Sequence, residues 1–174
     1  LNFKFLADGS IEKCDSFDSK AFEISQYEIY YGEGQEAKNQ RYKAEAHADR
    51  CKTVAEVYAT PKTAPLETIL QLGNMSTDIA PEERERILTV SAFQLIDGLR
   101  AKYGDNLKVL SLSGHKDEAV FHYHLRYTIL GRDRFGYSVP NQNQGFQEMG
   151  IERPNPDKPL SRYNNPLMTF SDEL

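Results

Sequence analysis

The sequence predicts an α+β fold with a mainly antiparallel β-sheet and flanking helices. Two long segments, over 106–115 and 119–130, alternate apolar and polar residues, which is the period of a β-strand. A third long segment, over 81–103, carries apolar residues at the spacing of an amphipathic helix. The order along the chain is strands, one long helix, two strands and a polar tail. This order favours an antiparallel sheet with helices packed on it.

The N-terminal region, residues 1–34, is predicted to form a hairpin and a strand. Alternating phenylalanines precede Asp8 and Gly9, a pair typical of a tight hairpin turn. The segment 22–31, FEISQYEIYY, mixes aromatic and β-branched residues with polar ones and is therefore predicted to be a strand. The polar segment 32–52 lacks a steady period, so we expect a loop or a broken helix there.

Local signals predict the next elements. Thr53 followed by Glu56 matches a capping box, which predicts a short helix that ends near Pro61. The segment 67–73 has the character of a short strand closed by a glycine. The long helix has Pro81 near its start, as helices often do. Its apolar stripe is predicted to consist of Ile87, Val90, Phe93, Leu95 and Leu99.

The C-terminal third of the chain is predicted to hold a hairpin and an irregular tail. The two alternating segments would pair through a turn at 116–118. The tail over 141–165 is rich in proline and asparagine and is expected to contain one short helix near Gly145.

The composition predicts one domain of a cytoplasmic protein. The chain has 174 residues, of which 39% are hydrophobic and 27% are charged, as in an ordinary globular domain. No apolar run approaches the roughly 20 residues that span a bilayer. The two cysteines make no disulfide framework. Because the sequence lacks an initiator methionine and ends in TFSDEL, we expect residues 1–174 to be a single N-terminal domain of a longer protein.

The charge of the chain is unevenly distributed. A net charge of −5 argues against a uniformly basic surface of the kind that many nucleic-acid-binding proteins have. Residues 38–62 nevertheless carry six Lys or Arg and three acidic residues, so a local basic face can form there. A solvated surface segment would carry the same charges.

Three of the four histidines lie within the ten residues HKDEAVFHYH, over 115–124. His122 and His124 would share one face of a strand, and a hairpin would bring His115 and Glu118 back toward them. Three imidazoles and one carboxylate predict a site for a divalent transition metal, since Mg²⁺ prefers oxygen ligands. Asp117 is expected to hydrogen-bond a ligand rather than to bind the ion. The alternative is a surface hairpin with scattered histidines.

The sequence around these histidines resembles a known motif. HKDEAVFHYH is similar to the HxDExxPHxH motif of the Mob/Pre plasmid mobilisation and plasmid recombination relaxases, which belong to the HUH endonucleases. The runs over 39–74 and 136–165 resemble two further blocks of one branch of that family, in the same order. The resemblance covers the chain from about Lys38 to its end and does not place residues 1–34. The chain departs from the family at Phe121, where the family has proline.

The resemblance implies a cytoplasmic enzyme that nicks one DNA strand at an origin of transfer and stays joined to the 5′ phosphate. In the family, a divalent metal binds the scissile phosphate. The residues that hold this metal match His115, Glu118, His122 and His124. We expect Mn²⁺, with Mg²⁺ and Zn²⁺ as alternatives. The expected partners are single-stranded or hairpin origin-of-transfer DNA, together with coupling or accessory transfer proteins.

The resemblance offers two candidates for the nucleophile. HADR, from His47 to Arg50, matches an HxxR motif whose histidine can attack in this branch, and Arg50 would bind phosphate beside it. Tyr42 competes, because HUH enzymes usually attack with tyrosine. Without such a role, His47 would be a helix-surface residue and Tyr42 an aromatic anchor. Backbone phosphates would be bound by Lys38, Arg41, Lys43, Lys52 and Arg126.

Three other functions remain open at this point. A replication initiator of the HUH type would use the same metal site with a tyrosine nucleophile. A DNA-binding module without catalytic activity would bind origin DNA and leave it intact. A cupin-like metal oxygenase also uses HxH, glutamate and histidine on an antiparallel sheet, but it normally places its glutamate after the HxH pair.

Overall fold

The computed structural model describes residues 1–116 and 119–174, apart from the side chain of Glu173. The strands in these residues are β1 (Asn2–Phe5), β2 (Ile11–Cys14), β3 (Leu66–Gln71), β4 (Leu107–His115), β5 (His122–Arg132) and β6 (Ser138–Pro140). The helices are α1 (Ser19–Ala44), α2 (Val54–Ala59), α3 (Pro81–Tyr103), α4 (Gln142–Glu148) and α5 (Pro166–Glu173), with a 3₁₀ turn at Ala48–Arg50.

The strands form one sheet in the order β2-β1-β4-β5-β3, and β6 pairs with the far end of β5. These pairings are antiparallel, so the predicted α+β fold is confirmed. Helices cover both faces of the sheet. The hydroxyl group of Thr128 on β5 is hydrogen-bonded to Tyr31 of α1, whereas Tyr123 of the same strand is hydrogen-bonded to Thr89 of α3. Strand residues of opposite parity point to opposite faces, so α1 and α3 lie on different sides.

The larger core lies between α3 and the sheet. The buried apolar face of α3 consists of Leu88, Ala92, Ile96, Leu99 and Tyr103. The predicted helix over 81–103 is therefore confirmed, but the predicted stripe is only partly correct. Val90 is 49% exposed. It lies two positions from both Leu88 and Ala92, which places it about 200° around the helix axis from each of them.

The segment 22–31 is helical, so the predicted strand there is wrong. It belongs to α1, whose N-cap residue Asp18 accepts a hydrogen bond from the backbone N–H of Ala21. The buried side chains recur at helical spacing and include Tyr27 and Tyr31, which pack on β4 and β5. Aromatic residues suit strands in general, but here their burial against the sheet outweighs that preference.

The segment 32–52 is more ordered than predicted. α1 continues without a break to Ala44, and the 3₁₀ turn follows it. Most of the other predicted elements are confirmed, including the N-terminal hairpin, the capping box of α2 and the short helix near Gly145. Among the described helices, none combines the length and the apolar character that a bilayer crossing requires.

Candidate metal centre

Three histidines converge at one end of the β4–β5 pair. His115 ends β4 and lies opposite His122, which begins β5. His124 follows on the same face of the strand. One ring nitrogen from each histidine lies within 4.8 Å of the others, and the rings of His115 and His122 stack with centroids 5.2 Å apart. These three side chains, the histidine cluster, could hold a metal ion.

Hydrogen bonds direct two of these rings at each other. Nδ1 of His122 lies 3.0 Å from the carbonyl oxygen of Val120, and Nδ1 of His124 lies 3.0 Å from the carboxylate of Glu67. Both partners are acceptors, so each Nδ1 donates, and a neutral imidazole then has a lone pair on Nε2. The two Nε2 atoms are 3.2 Å apart. Lone pairs at this distance repel, and a proton or a metal ion between them removes the repulsion.

The separation of the facing His122 and His124 nitrogens fits a shared metal ion. Two imidazole nitrogens that each lie about 2.0–2.1 Å from one ion are at most about 4.2 Å apart. The observed separation of 3.2 Å between Nε2 of His122 and Nε2 of His124 lies within that limit. A further sign is the hydrogen bond from His124 to a carboxylate, since metal-binding histidines usually donate their other N–H to a carboxylate or carbonyl group.

Glu67 is a residue of this site that sequence reasoning missed. It lies on β3 opposite Arg126 of β5, and its two carboxylate oxygens contact His124 and Arg126. Partial burial alone would raise the pKa of Glu67, but the hydrogen bonds from His124 and Arg126 lower it. Its only signal in the sequence is an acidic residue in a predicted strand, which does not reveal its neighbour across the sheet.

Arg126 connects the histidine cluster to a buried carboxylate on α1. Its Nε and one terminal nitrogen donate to Glu23 at 2.7 and 2.8 Å. Glu23 is fully buried and also accepts hydrogen bonds from Tyr58 at 2.8 Å and from Ser111 at 3.1 Å. The pairing with Glu23 raises the pKa of Arg126. Burial, together with the neighbouring Glu23, raises the pKa of Tyr58 to about 12.

Among the described residues, α1 leaves the histidine end of the sheet uncovered on the face that it covers further along. α1 starts beside Arg126 and follows β5 toward Asp133, as the contacts of Glu23 and Arg41 with those two residues show. On β3, Ile69 lies opposite His124 and is 57% exposed. His122 is buried, so a molecule on this side would reach the cluster at the partly exposed rings of His115 and His124.

Glu118, the predicted fourth ligand, and Asp117, its predicted supporting neighbour, lie outside the described residues. The structure thus brings together three of the four predicted ligands. It adds Glu67, whose carboxylate is hydrogen-bonded to one of them, His124.

The structure does not bring the candidate nucleophiles to the histidine cluster. Tyr42 lies near the C-terminal end of α1, about 28 Å along the helix axis from Glu23. His47 follows that end, and its backbone N–H donates to the carbonyl oxygen of Tyr42. Arg50 closes the 3₁₀ turn beside them. Because α1 leads away from the histidines, a direct attack by Tyr42 or His47 on a phosphate at the cluster does not fit this arrangement.

The predicted DNA-binding residues fall into two regions. Lys38, Arg41 and Lys52 line a groove near the C-terminal end of α1, and Lys43 of the same helix is exposed outside that lining. Arg126 lies on the histidine face, as predicted, but its donors bind Glu23 and Glu67.

Comparison with known proteins does not extend this description. No protein-family model, no curated protein and no solved structure matches the chain.

Proposed function

We propose that this chain is a metal-dependent DNA-nicking domain of the relaxase type. His115, His122 and His124 would hold the ion, and the substrate would be single-stranded or hairpin DNA at an origin of transfer. The observation that carries the proposal is the convergence of three imidazoles at one end of the sheet. The resemblance of HKDEAVFHYH to the relaxase motif supplies the reaction class.

The ion proposed for this site is Mn²⁺, with Zn²⁺ and Mg²⁺ as alternatives. Imidazole ligands make Mg²⁺ the poorest fit of the three. When bound, a divalent ion would act as a Lewis acid on the non-bridging oxygens of a phosphodiester. The protein's own contribution is orientation, since Glu67 holds the ring of His124 and Arg126 holds Glu67. Such an enzyme would act in the cytoplasm, alongside coupling or accessory transfer proteins.

The position of Tyr42 and His47 limits the proposed chemistry. Formation of a covalent 5′-phosphate adduct, which the resemblance implies, requires a nucleophile within bonding reach of the scissile phosphorus. Neither residue has that reach if the phosphate lies at the histidine cluster and α1 keeps its course. The proposal therefore places strand cleavage at the histidines and assigns the attack to neither residue. An attacking oxygen from another group or from water would bond to phosphorus, while the bond to the 3′ oxygen breaks and that oxygen takes up a proton.

The experiment is a nicking assay on supercoiled plasmid that carries the cognate origin, with Mn²⁺ or with EDTA. We expect open-circular product with Mn²⁺ alone, and none from the His124→Ala variant. His47→Ala and Tyr42→Phe should both retain nicking. Mass spectrometry of the protein after reaction then identifies any residue joined to DNA. If the wild-type protein binds origin DNA but leaves it intact with every divalent ion, the proposal is wrong and the chain is a DNA-binding module without catalytic activity.

A further inference from the structure

A second candidate site is a groove near the C-terminal end of α1, away from the histidine cluster. It is formed by α1, the segment 60–63, the turn between β5 and β6, and the start of α4, and its volume is about 1080 Å³. We refer to it as the basic groove. The cations that line it are Lys38, Arg41, Arg50, Lys52, Lys62 and Arg134.

The charge of the basic groove is opposite to that of the whole chain. Its acidic lining residues are Glu45 and Asp133, and Asp133 is paired with Arg41 at 3.1 Å. Six cations against two acids stand out in a chain whose net charge is −5. Such a local excess of positive charge attracts a polyanion and is not expected from the overall composition.

Aromatic rings lie among these cations. Phe135, at the β5–β6 turn, is 51% exposed. The guanidinium carbons of Arg41 and Arg134 lie 4.1 and 4.7 Å from the centroid of its ring. Lys38 lies over the ring of Tyr42 at 5.8 Å. The bases of a single strand stack on flat aromatic and guanidinium groups, and its phosphates bind cations. The basic groove offers both kinds of group side by side.

The turn that carries Phe135 is held in place. Oδ1 of Asp133 accepts hydrogen bonds from the backbone N–H groups of Phe135 and Tyr137, at 2.8 and 3.0 Å. The other carboxylate oxygen binds Arg41 of α1. Gly136 has φ of +85°, a conformation that glycine adopts without strain. The turn is thus fixed both internally and to α1, so the ring of Phe135 is positioned before any ligand arrives.

We propose that the basic groove binds single-stranded nucleic acid, with bases stacked on the Phe135 and guanidinium surfaces and phosphates bound by Lys38, Lys62 and Arg134. An acidic peptide would use the charges but not the rings, and duplex DNA does not expose the faces of its bases. The groove would hold the strand at a distance from the cleavage point. This role in cleavage rests on the proposed function, whereas the binding of a single strand in the groove does not.

The test is fluorescence anisotropy with a labelled oligothymidylate and the full chain in EDTA, so that no metal is bound at the histidines. Wild type should bind the oligonucleotide. Phe135→Ala should weaken binding roughly 5- to 150-fold, because base–aromatic stacking contributes about 1–3 kcal/mol. The double variant Lys62→Ala, Arg134→Ala should flatten the slope of log K against log salt concentration by about 1.4, at about 0.7 for each lost phosphate contact.

Lys20→Ala is the matched control, since Lys20 is exposed on α1 and does not line the groove. It should change the affinity by less than about twofold, because surface substitutions usually act weakly. Equal losses in the Lys20 and groove variants would overturn the proposal, as would tighter binding of duplex than of oligothymidylate. So would a wild-type chain that does not bind in EDTA. A wild-type chain that binds oligothymidylate in the groove but does not nick origin DNA would instead count against the proposed function alone.

Discussion

The carboxylate of Glu67 lies 3.0 Å from Nδ1 of His124. The same carboxylate accepts a hydrogen bond from Arg126 at 3.2 Å, and Arg126 is bound in turn to the buried Glu23. One imidazole of the histidine cluster is therefore connected through two ion pairs to α1. This connection fixes the orientation of the ring before an ion binds.

Glu67→Gln should weaken metal binding. The substitution keeps the shape of the side chain but removes the charge that supports the N–H of His124, and losses of this kind typically cost about 10–100-fold in affinity. Calorimetric titration with Mn²⁺ measures the effect. Glu83→Gln is the control, because Glu83 is an exposed carboxylate on α3 that pairs with Arg86. An unchanged affinity in Glu67→Gln would show that the carboxylate does not support the site.

Glu23→Ala should destabilise the fold. It removes the partner of Arg126 and the acceptor for Tyr58 and Ser111. Breaking a buried ion pair costs about 3–5 kcal/mol, and we expect the lower end because Arg126 is partly exposed. Urea unfolding measures the free energy, and Glu28→Ala, at an exposed position of the same helix, should change it by less than about 0.5 kcal/mol. Similar losses in both variants would contradict a special role of Glu23.

Ile96 and Val90 should differ sharply in their sensitivity to substitution. Ile96 is fully buried between α3 and the sheet, so Ile96→Ala should lower the free energy of unfolding by about 2–5 kcal/mol. Val90→Ala, on the exposed side of the same helix, should change it by less than about 1 kcal/mol. Denaturant melts of the two variants provide the comparison. A larger loss at Val90 would mean that the other face of α3 packs on the sheet.

The free energy of unfolding should fall in alkaline solution. The pKa of Tyr58 is raised to about 12, and burial raises the pKa values of Tyr27 and Tyr31 as well. In the unfolded chain these groups ionise near pH 10, so above about pH 10 the unfolded state binds fewer protons than the folded state and stability decreases. Urea unfolding from about pH 9 to about pH 11 measures the slope. The Tyr58→Phe variant should show a shallower slope, and an unchanged one would contradict this origin.

The parts of the fold that the sequence predicts are those governed by local repetition. The helix α3 and the strands β4 and β5 have long, regular apolar patterns, and the capping box of α2 is a local hydrogen-bond pattern. The helix α1 was missed because its tyrosines are typical of strands, and only the sheet beneath them determines their burial. The burial of Val90 was wrongly predicted for the same reason, because an apolar side chain alone does not indicate which face of α3 packs on the sheet.

The candidate site shows the same division between local and long-range information. The alternation of the HxH pair places His122 and His124 on one face from sequence alone, and the hairpin adds His115. Glu67 enters only through the register of β3 on β5, which no short motif encodes. The distance of Tyr42 and His47 from the cluster depends on the direction of α1, which the predicted loop or broken helix could not provide.

The central claim is that His115, His122 and His124 together bind one divalent ion. Pulsed electron paramagnetic resonance on the Mn²⁺-loaded protein tests it most directly, because couplings to ligand nitrogen report coordinated imidazoles. We expect one bound ion with nitrogen couplings in wild type and in His47→Ala, and loss of the bound ion in His122→Ala and His124→Ala. Mn²⁺ bound without nitrogen couplings, or with the same couplings in all four proteins, would contradict the claim.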